Sequence, residues 1–222
     1  MLPEPVIHSR RTGIGRPAVR LWVLAWLGMA AGILAGVLYL DHPVALYLLE
    51  HGSRSRPVRL FVRVPEALAV MAISSTLVIG FWWSMTGRIG AGLRQILSAG
   101  LGVCVALAAK TELKLVFGRV APDTWFWHQS TPLRNFHFLY SGCFPSGHMV
   151  VMGVMTAFLW PCSNVAVRAS WLLLSMASGA ALMMMGAHFL TDLLAGAMLG
   201  LSIGAVCRHL ATRPPGVDGA SQ

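Results

Sequence analysis

The fold of this chain is decided first by the stretch Leu21–Leu40, LWVLAWLGMAAGILAGVLYL, which contains no charged residue. About 20 apolar residues in a helix are enough to cross the hydrocarbon core of a bilayer. The composition of the whole chain agrees: 56% of its 222 residues are hydrophobic, 11% are charged, and the mean hydropathy is +0.66. Soluble domains usually carry about 25% charged residues. The sequence therefore predicts an integral membrane protein.

Five further apolar stretches follow along the chain. Ala67–Thr86 and Ala169–Ala187 are long and uncharged, like the first. The other three are weaker because they are short or contain charged residues: Gln95–Ala109, Ser146–Pro161 and Phe189–Cys207. We therefore predict an all-α fold, a polytopic bundle of six transmembrane helices. Small residues at spacing four in the last stretch predict close helix packing, namely Gly196, Gly200 and Gly204.

The charged residues set the boundaries of this membrane domain. We expect a basic cytoplasmic tail at 1–20, the six-span domain at 21–210 and a second cytoplasmic tail at 211–222. The first span has full length and follows a basic segment, so it predicts a retained anchor and not a cleaved signal peptide. Asp41–Pro65 mixes arginines with apolar residues, which predicts short amphipathic helices on the membrane surface.

The distribution of basic residues bears on orientation and on partners. With the amino terminus in the cytoplasm, nine of the 17 basic residues lie inside and eight outside, which is a weak positive-inside bias. The net charge of +9 does not indicate nucleic-acid binding, because the basic residues are spread over every loop. Phosphorylated membrane lipids and anionic headgroups are the expected partners. The four cysteines show neither metal nor disulfide spacing, which predicts unpaired thiols.

Chemistry is indicated by Pro145-Ser146-Gly147-His148, which stands directly before an apolar run. Ser146 is a natural N-cap of a helix, and Gly147 lets an anion approach the backbone. The N–H groups of a first helical turn, together with the helix dipole, favour a bound phosphate. The plain alternative is an ordinary capped helix with a histidine at the membrane interface.

A second indication is His188 followed by Asp192. Residues four apart on a helix share one face, and a carboxylate bonded to one ring nitrogen leaves the other nitrogen free to attack. Asp192 also lies inside an apolar stretch, where an ionisable residue is costly and usually functional. The alternative is a structural His–Asp bond between helices.

Basic residues follow near the end of the third stretch. Lys110 and Lys114 are four apart, a pattern also typical of lysines that snorkel to the lipid boundary. The order of the spans places them on the same side of the membrane as the two motifs above. The next segment, Gly118–Phe144, is a loop long enough to suggest a function. It carries further candidates for headgroup or auxiliary contacts, namely His128, Arg134 and His137.

These residues resemble the motifs of the type 2 phosphatidic acid phosphatase family, whose members are membrane phosphatases of six spans. The resemblance covers roughly Lys110–Gly200, with Pro-Ser-Gly-His matched completely and the third motif only in its His-Asp half. It implies that His188 is a nucleophile that forms a phosphohistidine, that Asp192 orients it, and that His148 protonates the leaving oxygen. No metal or other cofactor is implied. The implied phosphate cradle consists of Lys114, Ser146 and Gly147.

Two positions depart from the family's pattern. The first motif places Arg-Pro seven and eight residues after its lysine, whereas Ala121-Pro122 stand there in this chain. The segment Gly118–Trp125 (GRVAPDTW) instead resembles a Gly-Arg-x-x-Pro-acidic-x-Trp version of that motif, which makes Arg119 the expected phosphate-binding arginine. The Ser-Arg of the third motif falls on Ala181-Leu182, so that guanidinium is missing. Four residues could compensate for it: Lys110, His128, Arg134 or His137.

The resemblance implies an integral membrane lipid phosphatase. It would hydrolyse a phosphomonoester or pyrophosphate of a lipid at the periplasmic face of a bacterial inner membrane. Two alternatives stay open: a lipid-to-lipid phosphotransferase that uses the same site, and a non-catalytic relative that binds or transports phospholipids.

Overall fold

The computed structural model describes residues 16–52, 54–128, 136–137 and 142–212. Regular structure in these residues is helical, apart from an isolated bridge between Arg119 and Phe136. A 3₁₀ turn, Trp160–Cys162, follows α6. The α-helices of the described part are α1 (Arg16–Tyr39), α2 (Asp41–His51), α3 (Arg56–Thr86), α4 (Ala91–Phe117), α5 (Pro122–His128), α6 (Gly147–Leu159), α7 (Val165–Met184) and α8 (Leu190–Thr212).

Five of these helices are long and apolar enough to cross a membrane: α1, counted from Arg20, and α3, α4, α7 and α8. The sixth predicted span corresponds to α6, which has 13 residues and continues through the 3₁₀ turn to Cys162. A typical span needs about 20 residues. The predicted all-α, multi-pass architecture is therefore confirmed, whereas the number of six spans is not.

Several helices extend beyond the apolar stretches that predicted them. α3 begins at Arg56, well before the predicted start at Ala67, and has a proline in its first turn, where no N–H is needed. Its 31 residues rise about 46 Å, which exceeds a hydrocarbon core of about 30 Å. α3 is therefore longer than a single span requires. Of the segment Asp41–Pro65, Asp41–His51 form α2 and the part from Arg56 onward belongs to α3.

α6 lies at the centre of the bundle, in contact with α3, α4, α7 and α8. Val150 and Val154 of α6 are fully buried and pack against Val103 of α4. α8 approaches so closely that a β-carbon added at Gly200 would lie 2.0 Å from the carbonyl oxygen of Val150. Glycine permits this backbone approach, so the predicted close packing of the last span is confirmed.

The outer faces of the long helices are apolar. Leu77, Val78 and Phe81 of α3, for example, are each more than two-thirds exposed. An apolar surface of this extent is typical of contact with lipid. Most buried polar residues, in contrast, gather at the end of the bundle where α4 ends and α6 and α8 begin: Asp41, Arg119, Ser146, His188, Thr191 and Asp192.

Candidate active site

His188 lies in the turn between α7 and α8. Gly186 adopts a positive φ of 72° after the end of α7, a backbone conformation that glycine adopts without strain. α8 begins only at Leu190, so the expectation that His188 and Asp192 share one helical face is wrong. Nevertheless, Nδ1 of His188 lies 3.5 Å from Oδ2 of Asp192. This distance exceeds an ordinary hydrogen bond, as is common at catalytic pairs without substrate.

The pair forms because Asp192 folds back over the start of α8. Its Oδ2 accepts a hydrogen bond of 2.9 Å from the backbone N–H of Phe189, the return half of a capping box. The thiol of Cys143 lies 3.1 Å from the same oxygen and donates to it. Asp192 is completely buried. Its carboxylate is therefore fixed by several donors, with one oxygen turned towards the imidazole of His188.

The other oxygen of Asp192 is held by Arg119. Nη1 of Arg119 lies 2.6 Å from Oδ1 of Asp192, and Nη2 lies 2.6 Å from Oδ2 of Asp41 in α2. Nη1 also donates to Oγ1 of Thr191 over 2.8 Å. Burial disfavours the guanidinium charge, but Asp192 and Asp41 outweigh this effect and raise the pKa of Arg119 above its ordinary value. Arg119 is thus a buried, permanently charged bridge between two carboxylates.

This position does not agree with the predicted role of Arg119 in phosphate binding. Its side chain is fully buried, and the guanidinium packs over the ring of Phe189 at 4.2 Å. Its terminal nitrogens are already bonded to carboxylates and to a hydroxyl. The sequence motif could not indicate that the side chain of Arg119 points towards Asp41 and Asp192.

Ser146 is the N-cap residue of α6, as predicted, but its side chain forms no capping hydrogen bond. Its backbone N–H donates to the carbonyl oxygen of Asp192 over 3.0 Å, which ties the start of α6 to the start of α8. The hydroxyl is buried and has no partner within the described part of the chain. A buried polar group without a partner is costly, so an anion oxygen is a fitting partner for it.

His148, in the first turn of α6, faces His188. The ring centroids lie 6.3 Å apart with an interplanar angle of 70°. Nε2 of His148 lies 3.3 Å from Oε1 of Glu66 in α3. Each of the two histidines therefore has its own carboxylate: Asp192 lies behind one, and Glu66 lies beside the other.

A pocket of ≈ 260 Å³ is lined by both histidines and by residues of α3, α4 and α6. Lys110 and Lys114 both line it, and the Lys110 side chain lies so close to Gly147 that an added β-carbon would be 3.0 Å from its Cδ. The convergence of both lysines with both motifs was predicted from the order of the spans. The polar lining comprises Glu66, Lys110, Lys114, Gly147, His148 and His188.

The remaining predicted site residues lie elsewhere. Ser146 and Asp192 are buried directly behind the pocket wall. His137 is exposed, and its backbone N–H bonds to the carbonyl oxygen of Gly118. The side chains of His128 and Arg134 lie outside the described residues.

Sequence reasoning missed three residues of the site: Asp41, Glu66 and Cys143. Asp41 directly follows the first apolar stretch, and Glu66 directly precedes the second. Both positions fall on the membrane side predicted for the motifs. Their position on the same side of the membrane as the motifs could have identified them as site residues. An acidic residue at the end of a span is common and does not by itself indicate a site.

Cys143, His188 and Asp192 could be considered as metal ligands, since their ligand atoms lie within 4.8 Å of one another. A thiol binds metal as the thiolate, and burial, followed by the charge of Asp192, raises the pKa of Cys143 well above its ordinary value. Arg119 already supplies a positive charge to Asp192. This set of groups fits a hydrogen-bonded network better than a cation site.

Comparison with known proteins agrees with the motif positions. The model of the PAP2 superfamily matches residues 95–214, more than half of the chain, and this segment contains both histidines and both lysines of the pocket. No curated protein and no solved structure matches. Members of the superfamily are phosphatases, and this family domain together with the apolar helices fits a membrane phosphatase. The chain belongs to the PAP2 superfamily, the type 2 phosphatidic acid phosphatases.

Proposed function

We propose that this protein hydrolyses a phosphomonoester or pyrophosphate of a membrane lipid through a phosphohistidine at His188. The observation that carries the proposal is the placement of His148 and His188 on one pocket, with ring centroids 6.3 Å apart and two lysines in the wall. A phosphoryl group bound between the rings has a nucleophile on one side and a proton donor on the other.

In the first step, Nε2 of His188 attacks phosphorus. Asp192, whose Oδ2 lies 3.5 Å from Nδ1, is placed to accept the Nδ1–H when the ring engages the phosphate. This bond would fix the tautomer with a lone pair on Nε2 and stabilise the positive charge that develops on the imidazole. The N–P bond forms as the bond between phosphorus and the lipid oxygen breaks. His148 transfers a proton to that leaving oxygen.

In the second step, water attacks the phosphohistidine. His148, now neutral, takes a proton from this water as the oxygen–phosphorus bond forms and the N–P bond breaks. Inorganic phosphate leaves, and His148 is again protonated. Glu66 supports this cycle because its carboxylate favours the imidazolium form of His148.

Charge on the transferring group is stabilised by the lysines and by the start of α6. Lys110 and Lys114 supply two cations, and Gly147 brings backbone N–H groups close to the anion. The hydroxyl of Ser146 is buried beside Gly147 without a partner among the described residues, so a phosphate oxygen that enters between them would satisfy it. The third-motif arginine is absent, because Ala181-Leu182 stand in its place and are buried in α7. We assign its compensation to Lys110, which lines the pocket.

The position of the pocket in the bundle supports a lipid substrate and a periplasmic active site. The pocket lies where α4 ends and α6 begins. With the amino terminus of α1 in the cytoplasm, this end faces the periplasm of a bacterial inner membrane. Open apolar surface on the neighbouring helices lets a lipid present its headgroup from the outer leaflet.

The test compares purified wild type with His188→Ala on phosphatidate, phosphatidylglycerol phosphate, undecaprenyl pyrophosphate and lipid A. His51→Ala is the matched control, because His51 is exposed in the last turn of α2 and lies outside the pocket lining. We expect wild type and His51→Ala to release phosphate from at least one lipid, and His188→Ala to release none. Equal release by wild type and His188→Ala contradicts the proposal. Transfer of labelled phosphate to an added acceptor lipid would instead identify a phosphotransferase.

A further inference from the structure

Asp41 is the buried carboxylate that holds the start of α8 in place. It lies at the first position of α2, is 1% exposed, and accepts a hydrogen bond of 3.1 Å from the backbone N–H of Thr191. The hydroxyl of Thr191 donates to the other oxygen of Asp41. Thr191 immediately precedes Asp192, so these bonds fix the backbone that carries the partner of His188.

The bonds have a specific physical role at this helix start. The N-cap position of α8 is Phe189, whose side chain cannot accept a hydrogen bond from the first turn. The carboxylate of Asp41 takes over this function from a different helix, and its negative charge also suits the positive end of the α8 dipole. A cap supplied from α2 makes the position of Asp192 depend on how α2 packs.

Arg119 completes the connection between the two carboxylates. Its two terminal nitrogens each lie 2.6 Å from a carboxylate oxygen, one of Asp41 and one of Asp192. The backbone of Arg119 is fixed as well, because the N–H of Cys143 donates to its carbonyl oxygen over 2.7 Å. A planar guanidinium bound at both ends holds both carboxylates at a defined distance and angle.

We infer that Asp41 and Arg119 form a clamp that positions Asp192, and through it the nucleophile His188, without contacting the phosphate. This inference rests on the proposed function. It assigns Asp41, which lies outside the segment matched by the family model, to the catalytic apparatus. It also gives Arg119 a role different from that of an anion ligand.

The two roles of Arg119 predict different kinetics. Loss of a phosphate ligand weakens inhibition by inorganic phosphate and raises KM. Loss of a positioning residue slows phosphoryl transfer to His188 and leaves phosphate inhibition unchanged. A variant that only destabilises the fold lowers the amount of active protein, but it does not change the rate constant of each active molecule.

The experiment measures single-turnover transfer of labelled phosphate from the lipid to the protein. The variants are Asp41→Asn, Arg119→Lys and Thr191→Val. The amplitude reports the active fraction, and the rate constant reports positioning. Glu50→Gln is the control, because Glu50 is an exposed acid of the same helix as Asp41 and lies outside the pocket lining. Valine has the shape of threonine but lacks its hydroxyl, so Thr191→Val still tests the clamp if Asp41→Asn does not fold.

We expect the rate constant to fall about 10- to 100-fold in all three variants, as for partners that orient functional histidines elsewhere. The inhibition constant for inorganic phosphate should stay within about twofold of wild type, and Glu50→Gln should behave as wild type. If the wild type is active and the variants keep its rate constant, the clamp is overturned and the proposed function stands. The same holds if the variants differ from wild type only by a higher KM and a higher phosphate inhibition constant. A wild type that releases no phosphate from any lipid overturns the proposed function, and the clamp with it.

Discussion

Oε1 of Glu66 lies 3.3 Å from Nε2 of His148, on the wall of the pocket opposite His188. The side chain of Glu66 is 58% exposed, whereas that of His148 is 25% exposed. A carboxylate in a pocket for an anion opposes the charge of the substrate. Its presence is explained if it keeps the proton on His148, since an imidazolium has a second N–H to give to the leaving oxygen.

The first prediction concerns Glu66→Gln. Without the negative charge, the neutral form of His148 is favoured, so activity that requires protonated His148 should be lost at lower pH than in wild type. The other ionisable groups that face His148 are Lys110, Lys114 and His188, and the substitution leaves them in place. The measurement is kcat against pH, with Glu50→Gln, an exposed acid of α2, as control. A basic limb at the same pH as in wild type contradicts this role of Glu66.

The second prediction concerns the two lysines of the pocket. Lys110→Met and Lys114→Met should each reduce kcat/KM by about 100- to 1000-fold, the usual effect of removing one preorganised donor to transition-state charge. Inhibition by inorganic phosphate should weaken in parallel, because the lysines contact the anion. Arg63→Met removes an exposed cation of α3 outside the pocket lining and should leave both values unchanged. If Lys110→Met behaves as the control does, another group compensates for the missing arginine.

The third prediction concerns the reactivity of Cys143. Burial, together with the nearby charge of Asp192, raises its thiol pKa well above the ordinary value, so the thiolate fraction at neutral pH is very small. Cys162 is exposed and serves as an internal reference. Maleimide labelling followed by mass spectrometry should modify Cys143 at least about tenfold more slowly than Cys162. Equal labelling rates in the folded protein would mean that the network around Asp192 is open to solvent.

The fourth prediction concerns the contact between α6 and α8. A β-carbon at Gly200 would lie 2.0 Å from a backbone oxygen of Val150, which cannot move aside as a side chain can. Gly200→Ala should therefore lower the free energy of unfolding by about 1–3 kcal/mol or more. Gly80→Ala is the control, since no atom lies within 4 Å of its added β-carbon. Alanine there should stabilise the helix by roughly 0.5–1 kcal/mol. Thermal unfolding in detergent compares the two; equal melting temperatures contradict the packing.

Neighbouring residues were enough to predict an all-α, multi-pass membrane protein and to identify the motifs of the site. Runs such as Leu21–Leu40 are apolar over the full thickness of a bilayer, and in lipid the backbone must satisfy its own hydrogen bonds within a helix. These are local requirements, so they can be predicted from neighbouring residues alone. The motifs around His148 and His188 were recognisable for the same reason, because each lies within a few consecutive residues.

Which side chains contact each other depends on how the helices pack in the tertiary structure. Thr191 is 150 positions from Asp41, and His148 is 82 positions from Glu66; no local pattern connects residues so far apart. The direction of Arg119 was likewise set by two carboxylates on other helices, and this is why the motif could not predict these contacts. The free energy of burying a charge depends on the partners that packing brings to it, and these partners exist only once α2, α4 and α8 have come together.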